Sequence, residues 1–168
     1  ESEADGLFGG VPGAVVLHHP CGLAEQDERA WAQAVVEGVG ECVGDRTVLV
    51  LSPNRDPGRE AVVAVLRGAV ESHGWNWAEH MARDRFVGLM KLLARSGGVM
   101  VGNSSAGLIE CAALGVAVTY LVGSALPGYP ITLLWVLVAI IVNAAGRSTV
   151  VVAVAAVVVV LDANGEAD

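Results

Sequence analysis

The chain has 168 residues, 18 acidic and 10 basic side chains, a net charge of −8 and 54% hydrophobic residues. That length allows one domain, or a domain with an appendage, around a real core. The acidic balance argues against a nucleic-acid-binding face, and the apolar content excludes disorder over most of the chain. Three cysteines, Cys21, Cys42 and Cys111, are an odd number at no metal-ligand spacing. They read as buried or free thiols in a reducing compartment. The polar, acidic start lacks the basic-then-apolar order of a signal peptide, so the expected location is the cytoplasm.

Ala14-Val-Val-Leu-His18 is a short apolar run after Gly9-Gly10 and Pro12-Gly13, which predicts a buried strand. Residues 24–37 place Ala30, Trp31, Ala34 and Val35 on one side and charges on the other, the pattern of an amphipathic helix. Thr47-Val-Leu-Val-Leu51 predicts a second strand, ending in the polar loop Ser52–Gly58. Pro57 suits the first turn of a helix with Asp56 as its N-cap, running through Val62, Val65, Leu66 and Ala69 to His73-Gly74. A third short strand is expected within Trp75–His80. Asp84 is then expected to cap a helix carrying Phe86, Leu89, Met90, Leu92 and Leu93, closed by Gly97-Gly98. Val99-Met-Val101 reads as a fourth strand leading into Gly102-Asn-Ser-Ser-Ala-Gly107. A helix from Ser105 to Leu114 and a fifth strand over Val116–Val122 follow.

Strands that are continuous apolar runs, alternating with helices at short spacing, argue for an α/β fold: a parallel sheet with helices on both faces. Ligands of such sheets bind beyond the carboxyl ends of the strands. Three polar loops lie at those ends, His18-His19-Pro20, Pro53–Gly58 and Gly102–Gly107, and are expected to converge on one crevice.

The third loop carries the strongest local signal. A small-residue loop between strand and helix offers backbone N–H groups and the positive end of the helix dipole to an anion. Ser104 and Ser105 add hydroxyl donors, and Gly107 permits close approach. Glu110 would sit badly beside a phosphate and suits sugar hydroxyls instead. An ordinary N-cap also explains Asn and Ser here. His18 and His19 are adjacent and face opposite ways in a strand, so at most one enters the crevice, where it would polarise or protonate a leaving group. Asn54 and Asp56 are also common turn formers. No Walker loop, zinc-type spacing or nucleophile elbow is present, so neither a cofactor nor a metal is expected.

Taken together, Leu17-His-His-Pro20, Pro53-Asn-Arg-Asp-Pro-Gly58, Phe86-Val-Gly-Leu-Met90 and Gly102-Asn-Ser-Ser-Ala-Gly-Leu-Ile-Glu110 resemble the carboxyl-terminal half of UDP-N-acetylglucosamine 2-epimerases. The likeness is closer to the hydrolysing branch and covers roughly residues 13–123. It implies a Rossmann-like domain that is one half of a GT-B-type fold, binding a UDP-sugar against an amino-terminal domain absent from this chain. By the resemblance Ser104 and Ser105 contact the diphosphate, with Asn103 and Gly107 in the same loop, and Glu110 takes the ribose hydroxyls. His19 is the catalytic residue and, with Asn54, lies close to the nucleotide sugar. The implied reaction eliminates UDP to give a glycal, to which water adds, yielding N-acetylmannosamine and UDP. A homo-oligomer is compatible with this reading. The sequence departs from the family at Gly123–Tyr129, which lacks the arginines of a Gly-x-Arg-Gln-x-Gly-Arg element. Loss of one such contact is expected to weaken UDP binding by roughly 1.5–3 kcal/mol.

The resemblance divides the chain into a UDP-binding domain over residues 1–129 and an apolar segment over 130–168. Cys111 to Gly146 contains no charged residue and no histidine, and Val150–Leu161 is rich in valine. This segment reads as a buried helix and strand completing the domain, as a membrane hairpin, or as a frame-shifted end. The runs fall short of the ~20 residues of a spanning helix. Two rival functions follow: a non-catalytic nucleotide-sugar-binding fragment, and a membrane-associated protein anchored through 131–161.

Overall fold

A computed structural model of the protein describes residues 10–124, 132–142 and 150–160. Seven strands form one sheet: β1 (Ala14–Leu17), β2 (Val48–Leu51), β3 (Asn76–Ala78), β4 (Val99–Gly102), β5 (Ala117–Ser124), β6 (Thr132–Val142) and β7 (Val150–Val160). Their order is β3-β2-β1-β4-β5-β6-β7. The first five pair in parallel, and β6 and β7 add to the β5 edge as an antiparallel pair. The expected α/β fold, Rossmann-like with a parallel sheet between helices, is what the chain adopts.

Helices α1 (Glu25–Val43) and α2 (Arg59–His73) cover one face of the parallel sheet. Trp31, Ala32, Val35, Val36 and Val39 recur at helical spacing along α1 and pack with Val62, Leu66 and Ala69 of α2. Their partners on the sheet are Ala14, Val16, Val48 and Val50. On the other face, Leu89, Met90 and Leu93 of α3 (Arg83–Ser96) pack with Cys111 and Val116. They meet Val15, Leu49, Leu51 and Met100, the alternate residues of the same strands. A strand buried on both faces must be apolar at every position, which is why the short runs carry no alternation.

Several local expectations change. The first helix continues beyond residue 37 to Val43, because Val39 prolongs its buried stripe. Asp56 is not the N-cap of α2: Gly58 holds that place at φ 92°, where a side chain would be strained. The Asp56 carboxylate instead accepts a hydrogen bond from the Asn54 amide at 2.5 Å. Asp84 likewise lies inside the first turn of α3, behind Ala82 at the N-cap, and contributes there by charge. Two strands, not a helix and a strand, follow β5. Valine dominates them, and β-branched side chains favour a pleated backbone. Of the stretch Gly123–Tyr129, where the arginine-bearing element is wanting, only Gly123 and Ser124, at the end of β5, are among the described residues.

Candidate functional site

The strand order reverses between β1 and β4, since the chain builds β2 and β3 to one side of β1 and β4 and β5 to the other. A crevice at the carboxyl ends of these two strands is the usual ligand position in such sheets. The three polar loops meet there through hydrogen bonds. The His19 backbone N–H donates to Asn103 Oδ1 at 2.7 Å, and Asn103 Nδ2 donates to the His19 carbonyl at 2.8 Å. From the second loop, the Asn54 backbone N–H donates to His19 Nδ1 at 3.1 Å. His19, in the first loop, therefore bonds to both of the others, and the three loops converge as the pattern of strand ends led one to expect.

This arrangement fixes the chemistry of His19. Because Nδ1 accepts the Asn54 N–H, the neutral ring carries its proton on Nε2. Partial burial lowers its pKa, opposed by the nearby Asp56 carboxylate, which raises it. A neutral imidazole in that tautomer is a hydrogen-bond donor at Nε2, suited to a developing oxyanion; accepting a proton at Nδ1 would sacrifice the Asn54 contact. His18 is buried, 1% exposed, with no hydrogen-bond partner for either ring nitrogen among the described residues. Burial first, and the His19 charge second, lower its pKa to about 4, so it is neutral at pH 7. The expectation that only one of the two histidines reaches the crevice holds.

The close approach of β1 and β4 depends on Gly102. It pairs with Leu17 at φ 148°, and a Cβ there would lie 1.9 Å from the Leu17 carbonyl oxygen. Beyond it, Ser104 is buried and its Oγ accepts from the Ala106 N–H at 3.3 Å, while its carbonyl accepts from Gly107 N–H at 3.0 Å. Ser104 is thus an N-cap for the helical stretch 105–114. Its own hydroxyl proton has no acceptor among the described residues, and Ser105 beside it is exposed. Asn103 is committed to the first loop, so its amide acts as the clasp that joins β1 to β4. Glu110 lies in a π-helical turn, Gly107–Cys111, and its carboxylate stands 3.6 Å from the Arg83 guanidinium of α3. Cys111 behind it is buried against the sulfurs of Met90 and Met100; burial, with the Glu110 charge, pushes its thiol up to about 12.

Four features of the site escaped sequence reasoning. Glu28 is fully buried, and its Oε1 accepts from the backbone N–H groups of Cys21 at 2.7 Å and Leu23 at 2.9 Å, which ties the first loop to α1. The signal was a charge on the apolar stripe, one turn before Trp31 and Ala32. Arg83 as the partner of Glu110 had no local signal, because 27 residues separate the two in sequence. Arg59 reaches back to Ser52 Oγ at 2.9 Å and to Glu79 at 3.7 Å, bracing the second loop against the end of β3. Finally, a cleft of about 160 Å³ opens at the same edge, walled by Leu17, Leu51, Ala78, Met81 and Phe86, with Ser52, Glu79 and His80 as its polar members. Leu17 links it to the third loop, being the pairing partner of Gly102.

Among the described residues no group of His, Cys, Asp or Glu is placed to hold a metal ion, and no helix is long and apolar enough to cross a membrane. All three cysteines are free. No protein-family model matches the chain, and no curated protein matches it. Fold and site together define a Rossmann-like α/β chain whose three polar loops are joined at its topological switch point.

Proposed function

We propose that the chain is the UDP-binding half of a hydrolysing-type UDP-N-acetylglucosamine 2-epimerase, which eliminates UDP from the sugar and adds water to the glycal. The observation that carries this reading is the union of the three motif-bearing loops at the switch point, through His19, Asn54 and Asn103. In this reading the Ser104 and Ser105 hydroxyls and the start of the 105–114 helix receive the diphosphate. The apolar cleft beside Leu17 offers room for a planar base. His19 donates from Nε2 to oxygen of the departing UDP, where negative charge develops. Elimination breaks the bond between C1 of the sugar and the phosphate oxygen, and the proton lost from C2 goes to a base on the other domain. In this reading the other domain forms the second wall that holds the sugar and shields it from water, so residues 1–168 alone are expected to bind UDP without turning over.

Calorimetric titration with UDP tests the reading. Wild type is expected to bind, and the Ser104→Ala/Ser105→Ala pair to bind at least about tenfold more weakly, equal to about 1.4 kcal/mol for two lost hydroxyl contacts. A folded wild-type chain that takes up no UDP would leave the fold without the proposed ligand.

A further inference from the structure

We infer that Arg83 is a specificity-determining residue of the crevice: it neutralises Glu110 and presents a guanidinium to an anionic ligand, so that a nucleoside diphosphate is preferred over the uncharged nucleoside. This deepens the nucleotide reading and rests on it. The sheet topology brings the two residues together. α3 begins at Arg83 immediately beyond the carboxyl end of β3, and the 105–114 helix begins beyond the carboxyl end of β4, so both helix starts lie at the crevice edge. Within the second helix the backbone opens into a π turn over Gly107–Cys111. Such a turn inserts one residue and re-aims the side chains that follow, and it recurs at functional sites. Here the turn contains Glu110, whose carboxylate lies 3.6 Å from Arg83 Nη1.

The charges explain what the pair does. A carboxylate one turn beyond an anion-receiving loop repels the ligand that the loop is built to hold. Arg83 cancels that charge. The contact is a single long one, and the Arg83 side chain is 83% exposed while that of Glu110 is 21% exposed. A pair of this kind adds little to folding. It does leave most of the five donors of the planar guanidinium unused, and that fork can hold a carboxylate on one side and a phosphate oxygen on the other. Two nearby arginines are engaged elsewhere: Arg59 with Ser52 and Glu79, and Arg67 over the Trp77 ring at 4.0 Å with Glu79 as its ion-pair partner.

The test is titration of the full chain with UDP and with uridine, in wild type, Arg83→Ala and Arg83→Lys, at low and moderate salt. Arg83→Ala is expected to lose about tenfold in UDP affinity, the scale of one charge-assisted contact, while uridine binding stays the same. Arg83→Lys should recover part of the loss, and the salt dependence of UDP binding should flatten in Arg83→Ala. Equal losses for UDP and uridine, or unchanged UDP binding in Arg83→Ala, overturn the role of Arg83 and leave the nucleotide reading standing. A wild-type chain that binds no UDP overturns both.

Discussion

Gly102→Ala is expected to lower the free energy of unfolding by about 3 kcal/mol, combining a left-handed backbone with an overpacked contact. The new Cβ would meet backbone, 1.9 Å from the Leu17 oxygen and 2.6 Å from its carbonyl carbon, so no side-chain rotation relieves it. β1 and β4 must move apart at the point where Asn103 clasps His19. Urea denaturation followed by circular dichroism measures the loss. Gly68→Ala is the control: it lies within α2, with open space around its Cβ position and no positive φ, and should gain about 0.5–1 kcal/mol. Matching midpoints for Gly102→Ala and wild type would show that the strands do not approach as described.

The second large effect is an acid sensitivity located in His18. Its folded pKa of about 4 lies below the ordinary histidine value of 6.5. The unfolded chain therefore binds the extra proton between these values, and stability rises with pH across that window. The contribution is complete above pH 6.5 and is lost as pH falls toward 4, amounting to about 3 kcal/mol at 1.36 kcal/mol per unit. His18→Leu removes the titration, so its stability should fall less steeply than that of wild type between pH 6.5 and 4. Parallel pH profiles for the two proteins would place the acid sensitivity elsewhere. The position matters because His18 precedes His19: protonation would charge the interior immediately beneath the residue that joins the three loops.

The parallel sheet was legible because β1, β2 and β4 are bare apolar runs, and a strand covered on both faces admits nothing else. The crevice was legible because polar loops at the carboxyl ends of parallel strands have one place to go. Single-residue roles were less so. Asp56 and Asp84 look like N-caps by type, yet Gly58 and Ala82 occupy those positions. The Asn54 amide and the tertiary run of the chain decide the matter, and neither has a spacing rule. Glu28 and Arg83 act through contacts set by packing between elements, to which helical periodicity is blind. The apolar end was ambiguous for a different reason: a run that is apolar at every position suits a buried helix as well as a strand, and the pairing of β6 with β5 and of β7 with β6 decides between them.

The clasp between Asn103 and His19 also orders events in time. It joins residues 84 positions apart, half the length of the chain, while β1 finds β2 across a much shorter loop. Contacts that close long loops carry the larger entropic cost and form after local ones. The helices and the β1–β2 pair are therefore in place before the crevice exists, and during synthesis the first histidine loop waits until β4 has emerged. Recovery of helical signal on refolding should run ahead of recovery of ligand binding, and the delay between them is the time the chain takes to bring β4 alongside β1.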